Sequence, residues 1–450
     1  MTPVVKRRSL KKKKPTRQEN DKRVIILGVP GVRKTSAANK IAAELKLTGV
    51  PCTVINFEDA FLYGTLANDK ASFLSSPLEV QHKRWTDAWA KCKNRLPKTG
   101  NFILTMHGCF ISSLFGARSL LDPGQVARDV NPTLVITLIS DIYDCWSETH
   151  GGAKGLSIRG DPSLTQLLVA RRLELIIGDQ IALASPVSAK LTNGHRSYKP
   201  LRIKNLLLSV YHPIKTFVHA IACGPQLKIG YLSFPISQPR EMEAIGDKSG
   251  MEEVSAFVRK AFEIQERHSD LVLLCPLAID ELPFKSWLDS VANPANGATA
   301  VFDRAKFRWP LKSLHGELKP LMDPIAQLES MNLQEAHEAT SLIKNDVTLR
   351  DYRLVDQADF TAVFNPILAG NRKDIAKSVA EEIKRSQILQ IPVFLFQDIK
   401  RDPERNTLRE LGIHPEMIPT MAREPSRDLL ISCNDINDLY QHLENGGRIQ

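Results

Sequence analysis

The chain has 450 residues, of which 43% are hydrophobic and 24% charged. Domains cluster at about 100–200 residues, so this length predicts two or three of them. No apolar run approaches the about 20 residues that cross a bilayer, and the N-terminus lacks the apolar core of a secretory signal. The composition therefore argues against a membrane protein and indicates a cytoplasmic one, or a nuclear one if the basic N-terminal segment serves as a localisation signal.

Most of the net charge of +10 lies at the N-terminus. Residues 1–23 carry ten Lys and Arg side chains against Glu19 and Asp21, so this segment supplies +8 and the rest of the chain only +2. Such a segment cannot bury apolar surface, and we predict a disordered basic tail over residues 1–21. It could bind nucleic acid non-specifically through phosphates, or be a solvated tail without a dedicated partner.

The seven cysteines are scattered, with no C-x-x-C pair and no paired histidines at zinc spacing. This pattern predicts neither a disulfide framework nor a zinc site. Several cysteines fall inside apolar runs, where a buried reduced thiol is the usual outcome.

Short apolar runs alternate along the chain with segments of helical composition, beginning with VIIL at residues 24–27. This rhythm is typical of parallel sheets covered by helices. We predict an α/β protein with two doubly wound parallel sheets, one in a domain over residues 22–223 and one in a domain over residues 227–450. Residues 283–332 are less regular and are interpreted as an insertion with short helices.

The first apolar run leads into GVPGVRKT at residues 28–35, which differs from a phosphate-binding loop only at Arg33, where a glycine is expected. In such a loop, backbone N–H groups and a helix N-terminus hold the anion. Gly28 and Gly31 would let the backbone turn, Lys34 would neutralise phosphates, and Thr35 would ligate Mg²⁺. We therefore predict a site for ATP or another nucleoside triphosphate with Mg²⁺. Arg33 either points outward or occupies the space of a phosphate.

The Pro30-Gly31 pair in this loop resembles nucleoside monophosphate kinases of the adenylate kinase type, over roughly residues 22–220. The resemblance implies arginines on a lid or its flanking helix that hold the transferred phosphoryl group. The matching candidates are Arg159, Arg171 and Arg172. The alternative is that Arg171 and Arg172 form the solvated face of a helix.

Polar residues follow the predicted strands of this half at their carboxyl ends, which line the ligand crevice of an open parallel sheet. They are Asp59, His107, Asp141 and Asp144. Of these, Asp141 is the best candidate for the acid that binds the metal ion.

Stretches of the C-terminal half match the motifs of another family. A strand leads into Y-x-x-x-P from Tyr231, the segment from Asp351 to Asp359 fits D-x-x-x-[IV]-x-x-[AS]-D, and KSVAEEI at residues 377–383 is helical. Together they resemble the nucleoside 2-deoxyribosyltransferases and their nucleotide N-hydrolase relatives, over about residues 227–445. The resemblance implies that Glu382 is the nucleophile, Asp351 the partner acid, and Tyr231 a residue of the same pocket.

These residue types suit the chemistry, because cleavage of an N-glycosidic bond builds positive charge on the anomeric carbon and the leaving base must gain a proton. The chain also departs from the family pattern. Phe234 and Ser378 replace expected glycines, and Ala376 stands where transferases carry Asp and hydrolases Ser. The pair Glu381 and Glu382 could also be an ordinary solvated helix face.

The preferred function is nucleotide processing: the C-terminal half cleaves or transfers an N-glycosidic bond, and the N-terminal half binds a nucleoside triphosphate. One alternative is a catalytically reduced nucleotide sensor, and another is a nucleic-acid-associated ATPase anchored by the basic tail. By resemblance alone, a homo-oligomer is expected, since related sites are often completed across subunits.

Overall fold

The computed structural model describes residues 21–63, 67–112, 116–151, 162–185, 203–224, 227–291, 298–303, 318–325, 329–364, 376–396 and 430–433, with a few single positions besides. Of the predicted basic tail, only Asp21 falls within these ranges, and Arg159 lies outside them. What we expected of the tail and of Arg159 therefore stays a prediction.

The first sheet consists of five parallel strands. They are β1 (Arg23–Leu27), β2 (Thr53–Asn56), β3 (Phe102–Thr105), β6 (Leu134–Ile139) and β7 (Asn205–Ser209). Their order across the sheet is β2-β3-β1-β6-β7. After β1 the chain forms β2 at one edge and places β3 between them, and it then adds β6 and β7 on the other side of β1. Beyond the carboxyl end of β1 lies the switch point at which open α/β sheets bind ligands.

Helices connect these strands, and a short antiparallel pair follows β3. The helices are α1 (Lys34–Leu47), α2 (Ala67–Ser75), α3 (Leu78–Arg95), α4 (Pro123–Val130), α5 (Ile142–Gly151), α6 (Leu164–Ala184) and α7 (Ile214–Cys223), and the pair is β4 (Phe110–Ser112) with β5 (Gly116–Arg118). Local sequence sets some helix starts. The Ser163 hydroxyl and the Gln166 side chain cap each other's backbone N–H groups at the start of α6, as a capping box.

The second sheet also has five parallel strands. They are β8 (Lys228–Ser233), β9 (Leu271–Leu274), β12 (Phe360–Val363), β13 (Val393–Leu395) and β14 (Leu430–Ser432). The order is β14-β13-β12-β8-β9, so the switch point lies between β8 and β12. Along β8, Ile229 and Tyr231 join one apolar cluster and Leu232 the other, as the alternation of a strand buried on both faces requires.

The second half adds five helices and a small antiparallel pair within the described ranges. The helices are α8 (Ser237–Ala244), α9 (Ser249–Arg267), α10 (Leu282–Ser290), α11 (Leu333–Asp356) and α12 (Lys377–Ile388), and the pair is β10 (Thr299–Ala300) with β11 (Met331–Asn332). Helix α11 carries Asp351 toward its end, and α12 carries Glu382. Both helices pack against each other.

One apolar cluster extends through both halves, from Val24 in β1 to Val355 in α11. Edge strand β7 is covered by the second half as well: the Gln357 amide donates to the carbonyl of Leu207 at 3.0 Å, and its oxygen accepts the Leu207 N–H at 2.9 Å. The side chain thus satisfies backbone groups that an edge strand leaves open. The two sheets are therefore packed together through a shared core.

The prediction of an α/β protein with parallel sheets is confirmed. All seven cysteines are free in the structure, and five of them are buried. Among the helices that the structure describes, none is both long and apolar enough to span a bilayer.

Candidate functional site

The loop after β1 packs closely against helix α5. Gly31 has a φ of 82°, a conformation that side chains disfavour. A Cβ atom there would lie 2.2 Å from the carbonyl oxygen of Cys145 in α5, so only glycine fits this approach. At Gly28, a Cβ atom would lie 2.6 Å from the Leu138 carbonyl oxygen at the end of β6. Both glycines therefore allow the loop to pack closely against the backbone of α5 and β6.

Arg33 adopts a left-handed conformation, with φ 58° and ψ 40°. A side chain in this region costs on the order of 1 kcal/mol, and a glycine would avoid that cost. The Arg33 guanidinium group donates from Nη2 to the carbonyl oxygen of Asp323 at 2.7 Å. Asp323 belongs to the segment that we interpreted as an insertion. This side chain is therefore held by the C-terminal half of the chain.

Lys34 is buried, and its ammonium group contacts two neutral acceptors. Nζ lies 2.8 Å from the Gly28 carbonyl oxygen and 3.0 Å from Nδ1 of His107. Burial lowers the pKa of Lys34, opposed by the charges of Glu58 and Glu174. Burial, together with the nearby Lys34 charge, also lowers the pKa of His107 to about 3, so the imidazole is neutral and accepts a hydrogen bond. No described ion pair joins Lys34 to a carboxylate, while the charges of Glu58 and Glu174 favour its protonated form.

Two buried glutamates hold the turn after β3 in place around this lysine. Glu58 accepts the His107 N–H at 2.6 Å, and Glu174 accepts the Gly108 N–H at 2.8 Å. Burial raises the pKa of Glu174 to about 7, although Lys34 and the backbone N–H groups favour its ionised form. The sequence did not single out either glutamate.

Thr35 faces a small polar group at the end of β2. The Asn56 side-chain amide donates to Thr35 Oγ1 at 2.6 Å and to Asp59 Oδ2 at 2.7 Å. The Asp59 backbone N–H in turn donates to Asn56 Oδ1 at 3.2 Å. One amide nitrogen thus brings the Thr35 hydroxyl and the Asp59 carboxylate close together. Asp59, which was only one of several expected neighbours, is the acid that the described hydrogen bonds place nearest Thr35.

Asp141 lies at the start of α5 instead. Its Oδ1 accepts the backbone N–H of Asp280 at 2.9 Å, which ties it to the second half. The hydrogen bonds described for Asp141 do not join it to Thr35. The expectation that it binds the metal ion stays a prediction.

Arg171 and Arg172 bind carboxylates of the second half. Arg171 is 5% exposed, so the alternative of a solvated helix face is wrong for this residue. Its guanidinium group forms a two-bonded ion pair with Glu281, at 2.7 and 3.0 Å, and a further one with Asp346. Arg172, which is partly exposed, donates from Nε to Asp346 at 2.7 Å. The structure does not bring either arginine together with Lys34.

The second candidate site is formed around Glu382, which is 8% exposed. One carboxylate oxygen accepts the Tyr231 hydroxyl at 2.8 Å, and the other accepts the Ser233 hydroxyl at 2.5 Å. Tyr231 and Ser233 are two residues apart on β8 and therefore point to the same face of the sheet. Ser233 ends this strand, so the carboxylate lies at the carboxyl end of β8, beside the switch point. The alternative that Glu382 belongs to a solvated helix face is wrong.

Asp351 approaches this carboxylate from helix α11. Burial raises the pKa of Glu382 to about 8, and the negative charge of Asp351 adds to the shift, while the hydrogen bonds from Ser233 and Tyr231 oppose it. Burial also raises the pKa of Asp351, against the neighbouring Arg350. Arg350 donates to Asp351 Oδ1 from Nε at 3.1 Å and from Nη2 at 2.9 Å. The structure thus groups the three residues that the sequence predicted, and adds Ser233 and Arg350.

Two departures from the family pattern have visible structural roles. Phe234, in place of a glycine, is buried in the second apolar cluster. Ala376 precedes the first turn of α12 and is buried in a third, smaller cluster beside Val379. Both positions therefore serve packing in this chain.

Neither the models of known protein families nor the curated proteins contain a match to this chain. The assignment of function therefore depends on the geometry of the two sites.

Proposed function

We propose that the C-terminal half cleaves or transfers the N-glycosidic bond of a nucleoside or nucleotide, and that the N-terminal half binds a nucleoside triphosphate. The observation that carries the proposal is the buried Glu382 carboxyl group, which is hydrogen-bonded to Tyr231 and Ser233 and lies close enough to Asp351 for the charge of Asp351 to raise its pKa. Hydroxyl donors on both oxygens fix a carboxylate in one orientation. A second acid nearby is the arrangement that glycosidic chemistry uses.

In this proposal Glu382 attacks the anomeric carbon, and the bond from that carbon to the base nitrogen breaks. The electron pair leaves with the base, which takes a proton from Asp351. The glycosyl-enzyme then passes its sugar to water or to a second base. Positive charge on the sugar favours the ionised form of Glu382, which offsets the effect of burial on its pKa. Tyr231 and Ser233, each bonded to one oxygen, hold the Glu382 carboxylate in line.

The loop at residues 28–35 fits a phosphate-bearing ligand. In the part of the chain that the structure describes, no side chain caps the start of α1, and its first turn holds no acidic residue. A helix N-terminus of this kind attracts anions. Lys34 would contact the phosphates. Thr35 and Asp59 would hold Mg²⁺, directly or through water, and the ion would neutralise phosphate charge.

The described residues contain no group of three His, Cys, Asp or Glu side chains able to hold a metal ion by themselves. Mg²⁺ usually takes one or two protein oxygens and completes its shell with phosphates and water. The identity of the N-terminal half as a P-loop domain of the nucleotide-kinase type stays part of this proposal. The strand order, with β1 between β3 and β6 and the loop at its carboxyl end, supports it.

The experiment is to incubate the purified chain with nucleosides and nucleotides, in ribo and deoxy forms, and to measure free base by chromatography. We expect base release that falls at least about a thousandfold in Glu382→Gln, because the amide cannot attack. Glu381→Gln is the matched control. The Glu381 side chain is next to Glu382 in sequence and is partly exposed, and its described hydrogen-bond partner is the Tyr352 hydroxyl at 3.4 Å. This control should keep activity within about threefold.

Release that is equal in the two variants would contradict the role of Glu382. If the wild-type chain releases no base from any of these compounds, the catalytic proposal fails. The sensor alternative then gains support if the chain still binds nucleotides.

A further inference from the structure

A cluster of buried charged residues lies between the two candidate sites. Its centre is Glu281, in the turn before α10, with a side chain 1% exposed. Glu281 binds Arg171 from the first half and Arg350 from the second, and both arginine side chains are about as deeply buried, at 6% and 5%. Asp346 completes the cluster through its ion pairs with Arg171 and Arg172.

On one side, this cluster reaches the acid of the C-terminal site. Arg350 donates from Nη1 to Glu281 at 3.4 Å, and from Nε and Nη2 to Asp351 at 3.1 and 2.9 Å. One guanidinium group therefore spans the two carboxylates. Because the guanidinium group is planar and rigid, its position on Glu281 sets the position of Asp351.

On the other side, the cluster reaches the phosphate-binding loop. Glu281 Oε1 accepts the backbone N–H of Ile142, the first residue of α5, at 2.7 Å. The preceding residue, Asp280, donates its backbone N–H to Asp141 at 2.9 Å. The same helix turn contacts the loop, since Gly31 lies directly against the Cys145 carbonyl group. A ligand that moves the loop must therefore move α5 or strain this contact.

We propose that Arg350 is a positioning residue for Asp351 and that Glu281 links this position to the phosphate-binding loop, so that the two sites bind their ligands cooperatively. This inference rests on the proposed function of both sites. Glu281 has four described donors and almost no exposure, so it cannot shift toward one site without weakening its contacts to the other. A coupling of this kind is reciprocal: each ligand changes the affinity of the other by the same factor.

The experiment uses the full chain carrying Glu382→Gln, which stops turnover. Calorimetry measures the dissociation constant of Mg·ATP with and without a saturating equimolar mixture of the four 2′-deoxynucleosides. These lack phosphate and so do not compete for the loop. We expect the dissociation constant to change by about fivefold or more, in the usual range of coupling between sites. An unchanged constant, with both ligands bound, overturns the inference and leaves the proposed function standing.

The link itself is tested by adding Glu281→Gln, Arg350→Lys or Arg350→Met. Glu281→Gln and Arg350→Met should bring the coupling factor close to one, while Arg350→Lys, which keeps the charge, should retain part of it. Arg385→Lys is the control, because Arg385 pairs with Asp356 on the exposed side of the same two helices. Full coupling in Glu281→Gln overturns the role of that residue. If one of these variants does not fold, the coupling factor measured in the chain that carries Glu382→Gln alone still decides the inference.

If Mg·ATP binds and no nucleoside or nucleotide, in ribo or deoxy form, binds beside it, the proposed function of the C-terminal site fails and the inference fails with it. The two failures are therefore distinguishable, because one abolishes binding and the other abolishes only its dependence on the second ligand.

Discussion

The two candidate sites are built in different ways. The loop at residues 28–35 is one continuous stretch, and its geometry depends on backbone that lies close to β6 and α5. The site around Glu382 takes its side chains from strand β8 and helices α11 and α12, and two of them, Tyr231 and Glu382, are 151 residues apart in sequence. The first presents basic side chains, and the second groups two carboxyl groups whose pKa values burial raises. A site made of backbone can be recognised from a short motif, whereas one made of side chains depends on the whole sheet.

The difference in charge gives the largest effect that we expect on stability. Glu382 has a pKa of about 8 in the folded chain, against about 4.3 when unfolded. Because the folded state holds the proton more tightly, the stability associated with this proton is present below pH 4 and is lost as the pH rises through 8. We expect Glu382→Gln to gain on the order of 3 kcal/mol relative to wild type between pH 5 and pH 9.

Urea unfolding of both proteins at the two pH values measures this difference. The groups that face Glu382, namely Asp351, Glu381 and Tyr231, are present in both proteins, so the comparison isolates one carboxyl group. A gap between the proteins that is the same at pH 5 and pH 9 would show that Glu382 is not held protonated by its surroundings.

The second largest effect that we expect is on the affinity of the loop site for ATP, and it concerns Lys34. Replacement by Met removes the only ammonium group that the described contacts place on the Gly28 carbonyl oxygen. We expect ATP to bind about a hundredfold more weakly, because contacts between an ammonium group and phosphate are charge-assisted. Lys40→Met, an exposed position on the same helix, is the control. Fluorescence titration with a labelled ATP analogue measures both. Equal affinities in the two variants would contradict a role of Lys34 in binding phosphate.

The smallest effect is expected at Arg33. Its guanidinium group is already bonded to the Asp323 carbonyl oxygen, and we expect Arg33→Gly to change the affinity for ATP by less than about threefold. The same titration measures it. Tightening by tenfold or more would show that the arginine occupies the space of a phosphate, which is the other position that the sequence left open.

The sequence predicted parallel sheets because both sheets are buried and their strands are short, nearly continuous apolar runs. VIIL at residues 24–27 and LVLL at residues 271–274 are examples, and both form strands. The grouping of Tyr231, Asp351 and Glu382 was reached only through a family resemblance, since no local pattern joins residues so far apart. Ser233 had a local signal: it follows Tyr231 by two residues on a strand, so the two share a face.

The roles of Arg171 and Asp141 could not be read from the sequence. Arg171 finds its partners 110 and 175 residues away, and Asp141 contacts a backbone N–H 139 residues away. We interpreted both residues within the first half alone. Sequence patterns indicate that a residue is buried, but they do not identify the residues that contact it. The shared core was missed for the same reason. An apolar edge strand has the same sequence pattern whether the other half of the chain or a helix of its own half packs on it.

The side chain of Gln357 has a consequence for how this chain can be divided. By bonding to both backbone groups of Leu207, it ends the first sheet with an amide from the second half. A fragment that stops at residue 224 would leave β7 as an open edge and expose apolar residues that now face the other half. Such a fragment is an aggregation risk. A chain divided between its two halves would therefore need another partner for these two backbone groups.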